Sequence, residues 1–418
     1  MRPCALPGQQ EEKNIVINVL KRLLRIDPTV WTINLVLLAT AGFLQRFGLG
    51  LLDGARTNFF VDTLGLSGNQ VLWLEGIREI PGLLLMFIAA LTMRFPLSYR
   101  TGVAVIIMGV GYGLYAIVDS FTGLLAVAVL ASLGMHLWMP LNSSLAMSLS
   151  PKEKAGSVRG TLNGIGSLAG IVGMAALALV TRFAGELPLS AYYIIGAVFI
   201  ILSGFLILRI PPDVGATEVE PPHLLLSKRY WLYYLLTFLQ GSRKQVLNTF
   251  GMLVLVDRFG LPVWQISLVL LVSSVINLIG APYLGRMIDR LGERTMVTGS
   301  YIILMLSCLG LALIPDVRVL IFLLLTIKLF VTVGIGLETY VYRLAPPEEL
   351  TPTLSAGISI NHVTSVSMPL IAGALLPHIG YSGIFLGTAG IILISIPFAL
   401  AMRATPIPQP KGVVPAEG

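Results

Sequence analysis

Apolar runs of twenty residues or more recur along the whole of this 418-residue chain. A helix needs about 20 such residues to cross a hydrocarbon layer. In lipid the backbone must satisfy its own polar groups, so only helices and closed barrels span it. Period-two alternation is weak in these runs, which disfavours a barrel. Only 12% of the residues are charged, where a soluble protein carries about 25%. Mean hydropathy is +0.85.

A hydropathy pass places twelve spans, at 33–60, 70–93, 99–119, 121–148, 157–181, 189–209, 229–255, 264–287, 295–314, 318–342, 353–377 and 381–402. The expected fold class is an all-α integral membrane protein of twelve transmembrane helices, arranged as two six-helix pseudo-repeats. The expected domains are a cytoplasmic N-terminal segment (1–30), a first bundle (31–209), a linker (210–228), a second bundle (229–402) and a tail (403–418). The linker stretch IPPDVGATEVEPPHLLLSKRY is rich in proline and charge and falls at the midpoint.

Lysine and arginine set the direction of insertion. With the N-terminus inside, nineteen of the 28 lie in inner segments and three, Arg182, Arg258 and Arg318, in outer loops. Both termini are therefore expected in the cytoplasm. Short loops suggest a bacterial inner membrane. The net charge of +7 is scattered over these loops without a basic stripe, so nucleic acid is not an expected partner. Cys4 and Cys308 make neither a disulfide framework nor a metal motif. The opening MRPCALPGQQEEKN lacks the apolar core of a cleavable signal. The following EEKNIVINVLKRLLRIDP suits either the inner membrane surface or a helical lead-in to span one.

The two halves match weakly at one offset of 195 residues. Phe43-Leu44-Gln45 recurs as Phe238-Leu239-Gln240, Val61-Asp62 as Val256-Asp257, Gly65-Leu66 as Gly260-Leu261, and Gln70 as Gln265. Parallel repeats of this kind build transporters with a site between the halves. After span eight the chain reads GRMIDRLGER, Gly285 to Arg294. It resembles the GxxxDRxGRR loop of the major facilitator superfamily, with Glu293 where a base is usual. The corresponding place after span two, AALTMRFPLS, lacks the acid. The resemblance implies a twelve-helix secondary transporter working by alternating access. It also implies that Asp289 and Arg290 contact neighbouring helix ends and favour one access state. Span five carries Gly156, Gly160, Gly164, Gly166, Gly170 and Gly173, a spacing that allows close helix approach. Its GSLAGIVG has Ile171 where the family's proton antiporters carry proline, which argues against a drug/proton antiporter.

Away from the span ends, ten charges fall within the spans. Charge at mid-bilayer costs at least about 2.5–3.5 kcal/mol per residue, so such groups face the interior or water. Glu75, Arg78 and Glu79 in span two follow helical spacing and are expected on one face. With Asp53 and Arg56 of span one they are expected to form one ion-pair network, structural or gating. Direct contact with substrate or protons, or plain exposure to outer water, are the alternatives.

At mid-depth stand Arg46, Arg243, Lys244 and Lys328, with Gln45, Gln240, His136 and the pair Asn361-His362. In the resembled family spans one, four, seven and ten line the cavity. These cations then suggest a positive cavity and an anionic substrate. Arg243 and Lys244 point about 100° apart, so one of them need not face it. Each histidine and glutamine is equally a packing or hydrogen-bonding residue. Glu338 near the inner end of span ten is a gate partner or a coupling acid. Proton coupling needs a carboxylate whose pKa burial raises, and Glu338, Asp53, Glu75 and Glu79 are the intramembrane candidates.

No phosphate-binding loop, HExxH or GxSxG occurs. No cofactor, no metal site and no enzymatic activity are expected. The expectation is a monomeric secondary active transporter for a small, anionic organic solute, with protons and membrane lipids as further partners. Efflux of amphipathic compounds is the first alternative. A non-transporting receptor or assembly factor of the same fold is the second.

Overall fold

The computed structural model describes residues 30–151, 154–184, 187–214 and 227–403. The N-terminal segment, most of the linker and nearly all of the tail lie outside these. The described residues are helical, with no strand among them. Nine helices among them are long and apolar enough to cross a membrane. The difference from twelve arises at three places, each with a local cause.

Span two is not one helix. It runs as Gly68–Ile77, Ile80–Leu83 and Leu85–Thr92. Pro81 has no amide to bond the carbonyl four residues back, and its ring crowds that turn. The chain tightens instead, with Glu79 N on Gly76 O at 3.1 Å and Gly82 N on Glu79 O at 3.0 Å. Span seven is too polar in its middle, where Gln240, Ser242, Arg243, Lys244 and Gln245 crowd together, and a wide π-turn, Val246–Phe250, separates Trp231–Gln245 from Gly251–Asp257. Spans eleven and twelve form one element, Pro347–Leu400, broken at Gly380 (φ 66°). Span ten is interrupted as well, by a 3-10 turn over Val331–Gly334.

The internal repeat extends to backbone detail. Gly65 and Gly260 both adopt positive φ, 61° and 64°, which favours glycine. Leu66 N bonds Phe60 O at 2.9 Å, and 195 residues later Leu261 N bonds Leu255 O at 3.1 Å. Each bond closes the turn that ends its span.

Among the first six spans, span one packs on spans five and six, and span three on four and six. Part of the glycine face of span five serves this approach. A Cβ on Gly50 of span one would stand 2.4 Å from the carbonyl oxygen of Gly170. Gly156 and Gly160 have nothing so near. Phe59, Tyr115 and Tyr193 close one end of this bundle, with centroids 4.4 Å (Phe59–Tyr193) and 5.1 Å (Tyr115–Tyr193) apart. Among the later spans, seven and nine both pack on the Pro347–Leu400 element.

The two sets of spans meet through span two on span eleven and span eight on spans one and five. The named contacts gather near the loop between spans one and two. Asn58 donates to Leu261 O at 2.9 Å. The Trp73 indole donates to Leu370 O at 3.3 Å. Arg182 lies over Trp264, 5.4 Å from the ring centroid.

Candidate functional site

A cavity of about 930 Å³ opens between spans one, four, five and eight. Its walls run from Asp53 and Met174 at one depth to Leu38, Gly160 and Pro282 at the other. That second depth is the end opposite the cross-bundle contacts. Arg46 is exposed into the cavity. Its guanidinium lies 5.2 Å from the centroid of Trp138 on span four. No carboxylate lies within 4 Å of it among the described residues. Asn142, Asn163 and Asn277 add amides to the lining. Gln45 also borders it but is buried, its amide reaching the Met108 sulfur at 3.9 Å.

The other mid-depth cations go elsewhere. Arg243 is buried, lies 4.1 Å from the Tyr301 ring centroid and donates to Ser395 Oγ at 3.2 Å. Lys328 donates to the backbone carbonyl of Asn248 at 2.8 Å. Asn248 sits inside the π-turn of span seven, where carbonyls are displaced from the regular ladder. Lys244 Nζ stands 3.6 Å from Glu79 Oε2. A small pocket of the later spans, lined by Gln240, Arg243, Lys244 and Asn361 among others, is separate from the large cavity. The four cations expected around one positive cavity are thus distributed, and Arg46 is the one that lines the large one.

The five charges of spans one and two make two direct ion pairs, and Glu79 turns to other partners. Glu75 is fully buried and pairs with Arg78 at 2.9 Å; Asp53 and Arg56 stand 3.9 Å apart. Glu79 leaves this group because the helix breaks at Arg78, upstream of Pro81. Its Oε1 accepts from Gln245 Nε2 of span seven at 3.1 Å. Its Oε2 faces His136 Nε2 of span four at 3.7 Å and His362 Nδ1 of span eleven at 3.4 Å. His136 Nδ1 lies 2.9 Å from Ser132 O, which can only accept, so Nδ1 carries the proton. The Ser132 hydroxyl lies 3.1 Å from the same nitrogen and donates to the Arg78 carbonyl freed by the helix break. A Cβ on Gly82 would stand 2.6 Å from both imidazoles, so a side chain there would keep the rings apart.

The loop after span eight binds the end of span ten. Arg343 reaches Asp289 at 3.3 Å and Glu293 at 2.9 Å. Glu293, the residue that departs from the familiar loop pattern, is buried, whereas Asp289 is 71% exposed. Arg290 and Glu338 are both exposed.

Sequence reading did not single out Gln245, Ser132, Gly82, Trp138, Asn248 or Arg343 for these roles. The Pro81-Gly82 pair was the visible signal for the turn that redirects Glu79.

A family model described as Major Facilitator Superfamily matches residues 38–350. No curated protein sequence matches the chain. Among solved structures, the nucleoside transporter NupG is similar at TM-score 0.73 and 15% identity, over 89% of this chain and 99% of that one. A bacterial homologue of the iron transporter ferroportin, in an inward-facing state, is similar at 0.73 and 17%, over 89% and 99%. A POT family transporter in complex with a thioalcohol-conjugated peptide is similar at 0.71 and 11%, over 88% and 94%. Identities this low carry the fold alone.

Proposed function

The chain belongs to the major facilitator superfamily, a family of multi-pass membrane transporters, and from that premise we propose that it carries a small organic anion through the Arg46 cavity by alternating access. The observation that carries this reading is Arg46 itself. It is exposed into the cavity, lies over Trp138 and has no acid within ion-pair distance. A planar guanidinium with free donors suits a carboxylate or phosphate, held by two parallel hydrogen bonds. The indole beneath it fixes the plane of that fork and offers an apolar face to the rest of the solute. A cavity of this size accommodates a metabolite or a drug-sized molecule.

The state is inward-facing on this reading. The cross-bundle contacts lie at the end that the charge bias assigns to the outside. The cavity lining continues to the other end, past Asn142 and Pro282. The two bundles are the moving bodies, with residues 210–228 as their link. Asp53 lines the same cavity as Arg46, two helical turns away. It is the carboxylate placed to exchange a proton with a bound solute. A bacterial inner membrane and cytoplasmic termini complete the proposal.

A thermal-shift screen of the purified protein against matched organic anions, cations and neutral amphiphiles at two pH values tests it. A ligand specific to the native state raises its stability by mass action. Anions are expected to stabilise the protein, and Arg46→Gln to abolish that shift while leaving the unliganded melting temperature unchanged. Stabilisation by neutral amphiphiles alone, equal in both proteins, would instead favour efflux through an unspecific cavity. Binding without counterflow in vesicles would favour a receptor.

A further inference from the structure

Glu79, His136 and His362 come from three different spans, and their donor atoms converge. All three lie within 4.8 Å of one another. Glu79 Oε2 and His362 Nδ1 are buried with no hydrogen-bond partner among the described residues. The separations of 3.7 Å and 3.4 Å to Oε2 are long for hydrogen bonds, which run about 2.7–3.2 Å. They lie close to the edges of a coordination polyhedron instead. Donors about 2.0–2.2 Å from a tetrahedral ion stand roughly 3.3–3.6 Å apart.

The surroundings fit the same role. Nδ1 of His136 donates to the Ser132 carbonyl, which in the neutral ring leaves the Nε2 lone pair facing the gap. A backbone carbonyl on the far nitrogen is the usual support of a ligating histidine. Gln245 holds Oε1 of Glu79 and thereby presents Oε2 as a single-atom ligand. Gly82 supplies the space in which the two rings meet. Lys244 Nζ reaches the same oxygen at 3.6 Å, but its side chain is 35% exposed. It has room to withdraw toward the pocket it lines with Gln240 and Asn361.

We propose that Glu79, His136 and His362 form a binding site for a divalent first-row transition metal ion, with Lys244 as the cation that accompanies the carboxylate when no ion is bound. Two imidazoles and one carboxylate suit Zn²⁺, Co²⁺ or Fe²⁺. Mg²⁺ and Ca²⁺ prefer oxygen ligands. Glu79 and His136 belong to the early spans and His362 to the late ones, so the ion joins the two bundles. The site is distinct from the Arg46 cavity, and none of its three ligands lines that cavity.

The test is a Co²⁺ titration of the full chain in detergent, its affinity tag removed and its metals stripped with chelator. Visible absorption reports ligation, and Zn²⁺ serves as competitor. Saturable binding of one equivalent is expected. His136→Ala and His362→Ala are each expected to weaken it about tenfold or more. Lys244→Met is expected to tighten it on the order of tenfold, because a positive charge no longer competes for the oxygen. His378→Ala, at an exposed position away from the cluster, and Arg46→Gln are expected to bind as the parent does. Binding weaker than about 1 mM, or binding indifferent to both histidine changes, overturns the proposal. If His136→Ala fails to fold, His362→Ala and Lys244→Met decide it: the proposal falls if neither moves the affinity.

Discussion

The side-chain amide of Asn58 donates to the backbone carbonyl of Leu261 at 2.9 Å, so the last turn of span one holds the loop that follows span seven. The same amide donates to Asp62 at 2.8 Å. Both bonds are buried or nearly so, and the contact crosses from the early spans to the late ones. Asn58→Ala leaves the Leu261 carbonyl without this donor, at a cost of about 1–3 kcal/mol. On the inward-facing reading that cost falls on the closed outer end, so the variant is expected to shift the population toward outer opening. Spin labels on the two outer loops report it as a longer distance component; an unchanged distribution would show that this bond does not hold the closure.

Arg46→Gln is expected to lower the affinity for organic anions about tenfold or more, through loss of a bidentate, charge-assisted contact. Thermal stability is expected to stay within about 0.5 kcal/mol of the parent, as for other exposed positions. Equilibrium binding of the best anion from the screen, beside a melting curve, checks both halves of the statement.

Lys328 lies at mid-depth yet spends its charge on Asn248 O at 2.8 Å. Lys328→Met is therefore expected to destabilise the protein by about 1.5–3 kcal/mol, the range for hydrogen bonds to charged groups. Solute affinity is expected to change little. An affinity loss without destabilisation would return this lysine to the binding site.

Arg343 serves two acids of unequal exposure. Arg343→Ala takes its ion-pair base from the buried Glu293, and breaking such a pair is expected to cost up to about 3–5 kcal/mol. Asp289→Asn removes an acid that is 71% exposed and is expected to cost no more than about 1 kcal/mol. It is also expected to alter transport rate more than affinity. Melting curves of the two variants, with initial-rate flux for Asp289→Asn, separate these effects.

Glu75 and Arg78 form the corresponding buried pair of span two, at 2.9 Å. Arg78→Ala is expected to destabilise by about 3–5 kcal/mol, and Glu75→Gln with Arg78→Met together by less than either single change. A double-mutant cycle of melting free energies measures the difference.

Apolar run length made the membrane-spanning class legible, because lipid leaves so few backbone solutions. The repeat was legible too: Gly65 and Gly260 stand where the same turn demands the same backbone. The loop at Gly285 to Arg294 carried the family. What hydropathy could not carry was the destination of each charge. Glu79 follows Glu75 at helical spacing, and only the turn before Pro81 sends it to the opposite partner. Lys328 is satisfied by a carbonyl that a π-turn displaces, and no side chain announces that acceptor. His136 and His362 meet through tertiary packing across two bundles, for which neither local sequence offers a sign.

Glu79 sits on one bundle, while Gln245, Lys244 and His362 sit on the other. The bundles cannot part at this depth without stripping a carboxylate of most of its company. Bare charge in that position is prohibitive, so water must arrive before the helices leave. If the bundles do part here, wetting is expected to govern the pace. On the alternating-access reading, this single oxygen atom is expected to set how long the closed end persists, and a change that admits or excludes a few waters beside Gly82 is expected to act as a throttle on turnover.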